Sequence, residues 1–369
     1  MRILILHPHL NIKGGSERLT KVLLDGLSKI EERLELKLVT GALSDDWFGK
    51  YLGITEMLRL GADREEVEER VSNIVRSFEP DITVVMVQEP YYCAIAKSVY
   101  AKTKTVVYVH FPIDEEISED NLRDYETHLR YPTLTPRYVN APDLTLCNSR
   151  RTKLAIEMLW PIKAEVVYPC IDEVFFEEPD LEQRRDNTIL YVGRFNSLKR
   201  QDILVSMFSL VKEEVRDCRL VLAGFVDPRH REYYEHVRAI VDSLIDKYRD
   251  IELVPSPDDK KLLELYREAK VYVHPRIGEH FGMAPVEAML QGAIVVIRMP
   301  TGLAEVARHT LEAYLATSDH EMFRYVIQIL RRSNSELVEL RRRARALAEG
   351  FRDVSFASQV LDKARAVQS

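Results

Sequence analysis

The chain has 369 residues, a formal net charge of −7 and 30% charged residues. This length predicts two domains, and the acidic balance argues against a general nucleic-acid-binding protein, which would carry a basic face. No apolar run reaches the length of a membrane span. The four cysteines lack C-x-x-C spacing, so we expect buried thiols in a reducing cytoplasm.

The first ten residues, MRILILHPHL, lack a cleavage site of small residues and therefore predict a first strand and not a signal peptide. Strand-like and helix-like stretches then alternate along the chain. The predicted strands are Arg2–His7, Leu36–Thr40, Asp81–Val87, Thr105–Val109, Asp143–Asn148, Glu165–Tyr168, Thr188–Val192, Arg219–Ala223, Ile251–Val254, Val271–His274 and Ile294–Ile297. The predicted helices are Ser16–Ile30, Glu65–Phe78, Tyr91–Tyr100, Arg151–Leu159, Gln201–Val215, Arg231–Tyr248, Asp258–Ala269 and Ser335–Ser369.

Apolar strands that alternate with helices predict parallel sheets covered on both faces. A charged, proline-containing stretch from Asp172 to Asn187 interrupts the alternation and predicts a linker. We therefore expect an α/β protein with one Rossmann-like domain in residues 1–172, a second in residues 187–350, and a final helix in residues 351–369. Two such doubly wound domains, facing each other across a cleft, would bind ligands beyond the carboxyl ends of their strands.

The stretch His274–Gly292 contains two carboxylates, Glu279 and Glu287, eight positions apart. Pro285 suits the first position of a helix, because its missing N–H has no helical partner there anyway. Glu279 then lies in the loop before the helix and Glu287 in its first turns, and the amides between them favour a phosphate. The alternative interpretation is an ordinary strand, loop and helix with two solvated acids.

Two cations follow the first strand of the second half. Gly193 and Arg194 close this strand, and Lys199 comes five residues after Arg194, just before a helix. Such a pair suits a diphosphate, because arginine offers a two-pronged donor and lysine a point charge. Two surface cations would give the same spacing. In combination with Glu279, however, the pair predicts a nucleotide-sugar site.

The first half offers weaker candidates. Gly14 and Gly15 precede a predicted helix and bring backbone amides to the top of the sheet, although such a pair also suits a simple turn. The sequence contains neither the G-x-G-x-x-G fingerprint nor a Walker A motif. His110 follows a predicted strand and can reach out as a hydrogen-bond donor; a structural histidine is the alternative. His7 and His9 would point to opposite sides of a strand end, which argues against a shared metal.

The motifs Gly193-Arg194…Lys199 and Glu279-x7-Glu287 resemble the donor site of the retaining GT-B glycosyltransferases in the family that includes phosphatidylinositol mannosyltransferases and sucrose synthases. The N-terminal motifs HPHLNIKGGSER, YVHFP, CNSRRT and VYPCID are most similar to the α-1,2-mannosyltransferase branch that extends dolichol-diphosphate-linked oligosaccharides. The resemblance covers essentially the whole chain.

The resemblance implies a role for each candidate position. Arg194 and Lys199 would neutralise the donor diphosphate and the charge that builds on it. Glu279 would bind hydroxyls of the donor sugar, His110 would face the transferred sugar, and Glu287 would accept from the ribose hydroxyls. We expect catalysis to depend on Arg194, Lys199, Glu279 and His110. Further donor contacts would come from Gly15, Gly193, Gly224, Val254 with the loop to Ser256, Phe281, Gly282 and Met283.

The resemblance also implies retention of anomeric configuration and a final helix that returns to the N-terminal domain. No metal or other cofactor is expected. The expected reaction transfers mannose from GDP-mannose to a polyprenyl-diphosphate-linked or other glycan, at the cytosolic face of a membrane with peripheral attachment. The acceptor would contact the insert Asp114–Tyr138.

This sequence departs from the family pattern in three places. Arg200 follows Lys199 where glycine or asparagine is usual, and the glycine-rich turn after Ile294–Ile297 is reduced to MPTGLAE. The N-terminal membrane anchor of eukaryotic relatives is expected to be absent. These departures concern the acceptor and the membrane more than the donor.

Several alternative functions remain at this point. The nearest is a glycosyltransferase that uses a UDP-sugar and a soluble or glycolipid acceptor. The same fold serves nucleotide-sugar epimerases and pyridoxal-phosphate-dependent phosphorylases. A non-catalytic partner subunit that binds nucleotide sugars is an alternative of another class, although it would have no need of Arg194, Lys199 and Glu279 together.

Overall fold

The computed structural model describes residues 1–30, 33–59, 64–116, 136–183, 185–244, 249–352 and 354–367. Its strands are β1 Arg2–Leu6, β2 His9–Leu10, β3 Glu35–Thr40, β4 Ala42–Leu43, β5 Thr55–Met57, β6 Ile82–Val85, β7 Lys104–Val109, β8 Leu144–Cys147, β9 Glu165–Val166, β10 Thr188–Val192, β11 Arg219–Gly224, β12 Ile251–Pro255, β13 Val271–His274, β14 Ile294–Arg298 and β15 Tyr314–Ala316. Its α-helices are α1 Gly15–Ser28, α2 Asp45–Phe48, α3 Arg64–Phe78, α4 Tyr91–Val99, α5 Ile113–Glu116, α6 Pro136–Val139, α7 Arg150–Leu159, α8 Gln201–Glu214, α9 Arg231–Leu244, α10 Asp259–Glu268, α11 Met283–Leu290, α12 Asp319–Arg331, α13 Asn334–Ala348 and α14 Val354–Ala366.

The chain forms two compact units. The first comprises Met1–Cys170 and Asp353–Ser369, and the second comprises Ile171–Arg352. The first unit contains a sheet in the order β5-β3-β1-β6-β7-β8-β9, and the second a sheet in the order β12-β11-β10-β13-β14-β15. The strand pairs recorded in both sheets are parallel. The predicted α/β class with parallel sheets is therefore confirmed.

Strand β1 shows why the first sheet is covered on both sides. Its apolar side chains alternate in direction, as strand geometry requires. Ile3 and Ile5 pack with residues of α1 and α14, whereas Leu4 and Leu6 pack with residues of α3 and α4. A strand that is buried on both faces is apolar throughout, which is the pattern the sequence shows.

The predicted helix Ser335–Ser369 is not one continuous helix in the structure, so this prediction is wrong. Helix α13 ends at Ala348, a 3-10 turn spans Glu349–Phe351, and α14 follows. Gly350 weakens the helix at this point, and Phe351 turns inward onto Phe281 with ring centroids 5.4 Å apart. Helix α14 then packs into the core of the first unit through Phe356 and other apolar side chains.

The segment predicted as a linker is a packed part of the second unit. A 3-10 turn spans Glu173–Phe176, and the rings of Phe175 and Phe176 are buried. Gln291 Nε2 donates to the carbonyl oxygens of Phe175 and Glu177, at 2.7 and 2.9 Å. Two buried aromatic rings outweigh the charged composition that suggested a linker.

Other predicted boundaries are close to the observed ones, with a few omissions. The elements without a predicted counterpart are strand β15, helix α12, the short strands β2, β4 and β5, and the short helices α2, α5 and α6. The predicted helix Arg231–Tyr248 ends at Leu244, and residues 245–248 lie outside the described part. Most of the proposed acceptor insert, residues 117–135, also lies outside it. Among the described helices, none combines the length and the apolarity needed to cross a bilayer.

Candidate active site

The loops after β10 and β13 bring a lysine and a glutamate into contact. Lys199 Nζ lies 2.6 Å from Glu279 Oε2. The same carboxylate oxygen lies 2.8 Å from His274 Nε2, and Arg276 Nε approaches it at 3.8 Å. Two hydrogen-bond donors and one more distant cation thus surround one oxygen. The carboxyl ends of two neighbouring parallel strands position them, at the edge where ligands bind in such sheets.

The charges around Glu279 keep this carboxyl group ionised. Burial alone raises the pKa of Glu279, but Lys199, then Arg276 and then His274 outweigh it and hold the pKa well below its ordinary value. Burial lowers the pKa of His274 against the opposing effect of Glu279. The neutral ring of His274 can therefore donate from Nε2 to an anionic Glu279.

Backbone contacts fix both loops. The side chain of Asn196 accepts from Lys199 N at 3.1 Å, which closes the short 3-10 turn Ser197–Lys199. On the other loop, Gly302 N donates to Glu279 O at 2.9 Å, and Gly278 N donates to Pro300 O at 3.0 Å. The side chains of Lys199 and Glu279 are therefore presented by backbone that is tied down nearby.

Helix α11 begins directly after this loop. Gly282 precedes it in the left-handed region at φ 97°, a conformation that glycine adopts without steric cost. The helix begins at Met283, so Pro285 is its third residue and the prediction of a first position is wrong. Proline is tolerated there because the first four N–H groups of a helix have no helical partner. The side chain of Phe281 is buried and packs against Phe351.

Glu287 lies within α11, buried, as the fifth residue of the helix. Tyr266 Oη, from α10, donates to Glu287 Oε2 at 2.7 Å. Sequence reasoning placed Glu287 correctly in the first turns of the helix but missed Tyr266. The hydrogen bond orients one carboxylate oxygen and thereby sets the direction of the other.

Two of the predicted donor glycines have a packing reason to be glycine. A Cβ on Gly193 would lie 2.2 Å from Tyr191 Oη, and a Cβ on Gly224 would lie 1.9 Å from the carbonyl oxygen of Gly193. Gly224 also has φ +154°. The ends of β10 and β11 thus approach each other closely. A larger residue at Gly224 would push these strand ends apart, whereas a larger residue at Gly193 would displace the ring of Tyr191 on the same strand.

The structure does not place Arg194 in the Glu279 cluster. Arg194 Nη1 lies 3.6 Å from Asp227 Oδ2, in the loop after β11, and the Arg194 carbonyl accepts from Gln201 Nε2 at 2.8 Å. Val254 is half-buried on the edge strand β12, and Ser256 N donates to Gly224 O at 2.7 Å. These residues lie at the same carboxyl edge as Lys199 but contact different partners.

In the first unit, His110 directly follows β7. Its Nε2 lies 3.0 Å from Met86 O, and Asn148 Nδ2 donates to His110 O at 2.8 Å. Because a carbonyl oxygen can only accept, Nε2 carries the proton. Burial lowers the pKa of His110 to about 4, so the ring is neutral near pH 7 and Nδ1 is an acceptor. The sequence had suggested a donor.

Gly15 is the first residue of α1, after Gly14 at the N-cap. The backbone amides of this first turn lie at the carboxyl edge of the first sheet, where β1 ends. His7, next to this edge, is buried, and its Nδ1 accepts from His9 N at 3.2 Å. His9 is exposed, which agrees with the expectation that the two side chains diverge.

Sequence reasoning missed His274, Arg276 and Tyr266. His274 ends β13, and a histidine at the carboxyl end of a parallel strand is the same signal that selected His110. Tyr266 gave no comparable signal, because its partner Glu287 is set by the packing of two helices. Arg276 lies only three residues before Glu279, and this spacing could have identified it. Among the described residues, no group of three or more His, Cys, Asp or Glu side chains is arranged to hold a metal ion.

Residues 174–349 match the family described as glycosyl transferases group 1. This range contains Arg194, Lys199, Glu279 and Glu287, whereas Gly15 and His110 lie before it. Among curated proteins, the chain is 26% identical over 291 residues to a GDP-Man:Man(3)GlcNAc(2)-PP-Dol alpha-1,2-mannosyltransferase of Dictyostelium discoideum, covering 73% of this chain and 57% of that protein. It is 23% identical over 270 residues to the alpha-1,3/1,6-mannosyltransferase ALG2 of Saccharomyces cerevisiae, covering 63% of this chain and 53% of that protein.

The chain thus spans about half the length of the curated relatives it matches. Among solved structures, Anabaena HepE in complex with UDP and glucose has a TM-score of 0.79 at 18% identity and covers 99% of this chain and 100% of that chain. Sucrose-phosphate synthase of Thermosynechococcus elongatus matches this chain with a TM-score of 0.78 at 15% identity. The match covers 99% of this chain and 98% of that chain. These likenesses show the GT-B fold of two Rossmann-like units. Residues 174–349 of this chain are therefore a glycosyl transferases group 1 domain.

Proposed function

We propose that this protein transfers a hexose, mannose from GDP-mannose, to a polyprenyl-diphosphate-linked glycan. The observation that carries the proposal is the contact between Lys199 and Glu279 at the edge of the second sheet, 2.6 Å between Nζ and Oε2. A cation beside an ionised carboxylate suits a ligand that has both an anionic leaving group and sugar hydroxyls. A nucleotide-diphosphate sugar has both.

In this proposal, Lys199 stabilises the negative charge that develops on the departing diphosphate. Glu279 remains anionic because its pKa lies well below the ordinary value, so it cannot donate a proton to a leaving group near pH 7. It is instead suited to accept hydrogen bonds from sugar hydroxyls through Oε1, since Oε2 is held by Lys199 and His274. We assign it to donor recognition and not to nucleophilic attack.

The phosphate contacts of the proposal extend along the edge of the second sheet. The first amides of α11, after Gly282, have no helical partner and form the positive end of the helix dipole, which favours a phosphate. Arg194 supplies a further cation from the loop after β10. Glu287 is assigned to the ribose hydroxyls, with Tyr266 holding one of its oxygens.

The donor base and sugar are proposed from the names of the relatives. The Dictyostelium and Neurospora relatives are named for GDP-mannose, at 26% and 29% identity. The solved structures with UDP and glucose share only the fold at 18% identity, so a UDP-sugar is the second candidate. A dolichol-diphosphate glycan appears in the names of those same relatives and supports the acceptor class.

We propose that His110 receives a hydrogen bond from a sugar hydroxyl through Nδ1, because its Nε2 proton is directed at Met86 O. Retention of anomeric configuration is part of the proposal and follows from the family resemblance. Lys199 and Arg194 provide positive charge for the diphosphate, so we propose that transfer needs no metal. Activity that is unchanged by EDTA and by added Mg²⁺ is the expected result.

Helix α7 offers a surface for peripheral membrane contact. Leu154, Met158 and Leu159 are 61%, 77% and 47% exposed. Contiguous exposed apolar side chains on one helix mark an interaction surface. The helix begins beside Asn148, which contacts His110, so a membrane against α7 would lie next to the edge that carries His110. We propose that an anionic lipid surface covers these side chains.

The charges near α7 fit this occupant. Arg150 and Lys153 line a surface cavity of about 500 Å³ together with Leu154 and Lys363. Glu157 and Glu165 also line this cavity, and they pair with Lys153 at 3.7 Å and with Lys363 at 2.5 Å. The lining thus has three cationic and two anionic side chains, and the exposed Lys163 lies between α7 and β9. A locally basic, apolar surface on a chain of net charge −7 favours anionic headgroups over an acidic or neutral partner.

The test of the function compares donors and acceptors in one experiment. The purified protein is incubated with labelled GDP-mannose, UDP-glucose or UDP-N-acetylglucosamine, with and without a polyprenyl-diphosphate-linked glycan. Transfer from GDP-mannose into the lipid fraction supports the proposal. Transfer from UDP-glucose to a soluble sugar alone would establish the second candidate. Tight GDP binding without transfer to any acceptor would establish a non-catalytic binding subunit.

A further inference from the structure

Arg200 occupies an unusual backbone position next to Lys199. It has φ 57° and ψ 39°, in the left-handed region, between the 3-10 turn Ser197–Lys199 and helix α8. A residue with a Cβ rarely adopts this conformation, and it persists where the surroundings hold it in place. The direction in which Lys199 leaves the backbone depends on this junction.

The side chain of Arg200 supplies a second bridge between the two loops of the site. Its Nη1 donates to Pro275 O at 2.9 Å. Pro275 directly follows His274, which contacts Glu279. The loop that carries Lys199 and the loop that carries Glu279 are therefore joined twice, once by the Lys199–Glu279 pair and once by Arg200 and Pro275.

Asp319 holds Arg200 from the other side. Arg200 Nη1 and Nη2 donate to Asp319 Oδ1 and Oδ2 at 3.0 and 2.6 Å, a two-pronged contact. Arg298 Nε also donates to Asp319 Oδ1, at 3.0 Å. The hydrogen bond from Arg200 is the largest cause of the lowered pKa of Asp319, and Arg298 adds to it. Asp319 is the first residue of α12, capped by Ser318, so this anchor is itself fixed.

We propose that Arg200 is a positioning residue that holds the Lys199 ammonium against Glu279 and the donor diphosphate. Arg200 acts through the backbone of its neighbour and through Pro275 and Asp319, and it makes no contact of its own with the transferred sugar in this proposal. The inference rests on the proposed function only for its kinetic readout. The geometry of Lys199 provides a readout that is independent of any substrate.

The kinetic test uses Arg200→Gly, Asp319→Asn and their combination. Glycine tolerates the left-handed backbone, so the variant removes the tether and keeps the turn. We expect each single variant to lower kcat about tenfold with donor KM within about twofold, and the double variant to match the singles, because one device is removed in each case. Asp250→Asn, which breaks the Lys212–Asp250 pair elsewhere in the second unit, is the matched control and keeps the wild-type kcat.

The substrate-independent test measures how fast lysine amines react with a limiting acylating reagent, by mass spectrometry. In Arg200→Gly, Lys199 should become at least about threefold more reactive relative to Lys212, whose side chain is similarly exposed at 15% against 19%. Unchanged relative reactivity of Lys199, wild-type kcat in Arg200→Gly, or additive losses in the double variant would each overturn the positioning role. If the wild type transfers no sugar, the proposed function fails, and the labelling still decides the role of Arg200.

Discussion

Lys199 and Glu279 are 80 positions apart in the sequence, yet Lys199 Nζ lies 2.6 Å from Glu279 Oε2. His274 contacts the same oxygen, so Lys199 and His274 together hold this carboxylate oxygen in place. Two adjacent parallel strands, β10 and β13, place both loops at one edge of the sheet. The contact links the fold to the proposed chemistry, because it places a cation where a diphosphate would leave.

Replacing Lys199 by alanine should reduce kcat by a factor of about 10²–10³, since one charge-stabilising group is worth roughly 3–4 kcal/mol in a transition state. Steady-state kinetics at saturating donor measure this directly. Lys212→Ala is the control, because Lys212 also pairs with a carboxylate but lies away from the site. A Lys199→Ala enzyme with normal turnover would remove this residue from the mechanism.

Glu287→Ala should raise the donor KM about tenfold and leave kcat near the wild-type value, because a ribose contact stabilises ground state and transition state alike. Tyr266→Phe should raise the same KM by a smaller factor of about three, because it only releases one oxygen of Glu287. Tyr325→Phe, which removes a similar hydrogen bond to Glu321 at 2.8 Å, should have no effect. A loss confined to kcat contradicts a ribose role for Glu287.

The pKa of His110, lowered by burial to about 4 from 6.5, has a consequence for stability. Between pH 6.5 and pH 4 the unfolded chain binds a proton that the folded chain excludes, so the free energy of unfolding falls as the pH falls through this window. The loss amounts to at most about 3 kcal/mol. Urea unfolding from pH 7 to pH 4.5 should show a shallower fall for His110→Asn, and the exposed His236→Asn should follow the wild type.

The free energy of unfolding of His110→Asn will still depend on pH in this window, because burial also lowers the pKa of His7. The charges of His110 and His9 add to that effect in the wild type. Activity should show no titration of His110 between pH 6 and pH 8, since the ring is already neutral there. An unchanged unfolding slope in His110→Asn would mean that the ring is solvated and charged, and that its proposed acceptor role is wrong.

The α7 surface predicts binding to anionic vesicles. The wild type should float with vesicles of phosphatidylcholine and phosphatidylglycerol, and Leu154→Glu/Met158→Glu should lose this binding about tenfold or more, because apolar contact is replaced by charge repulsion. Leu210→Glu is the control, because Leu210 is an exposed apolar residue of α8, 48% exposed against 61% for Leu154 and 77% for Met158, and this variant should bind normally. Self-association of the wild type through α7, with no vesicle binding, would assign the surface to a second copy of the chain.

The sequence predicted the parallel sheets well because buried strands are apolar throughout and their boundaries carry turn residues. Glu279 and Lys199 were both selected from local motifs, but their direct contact depends on the pairing of β10 with β13. The hydrogen bond from Tyr266 to Glu287 and the anchor of Arg200 at Asp319 were not predicted, because the first joins two helices and the second joins residues 119 positions apart.

The errors have physical causes of the same kind. Charged composition suggested a linker after Asp172, yet Phe175 and Phe176 bury there. Apolar spacing suggested one C-terminal helix, but Phe351 turns inward to meet Phe281. Local patterns report propensity, and in both places the tertiary burial of an aromatic ring outweighed it.

Transfer of radiolabelled mannose from GDP-mannose to a polyprenyl-diphosphate-linked oligomannose glycan tests the proposed activity of this protein most directly. The lipid-soluble product is hydrolysed and digested with linkage-specific α-mannosidase, with Lys199→Ala as the inactive control. We expect label in an α-linked mannose on the lipid-linked glycan, formed by the wild type and reduced at least about a hundredfold in the variant. Absence of labelled lipid with GDP-mannose, or equal labelling by both proteins, would contradict it.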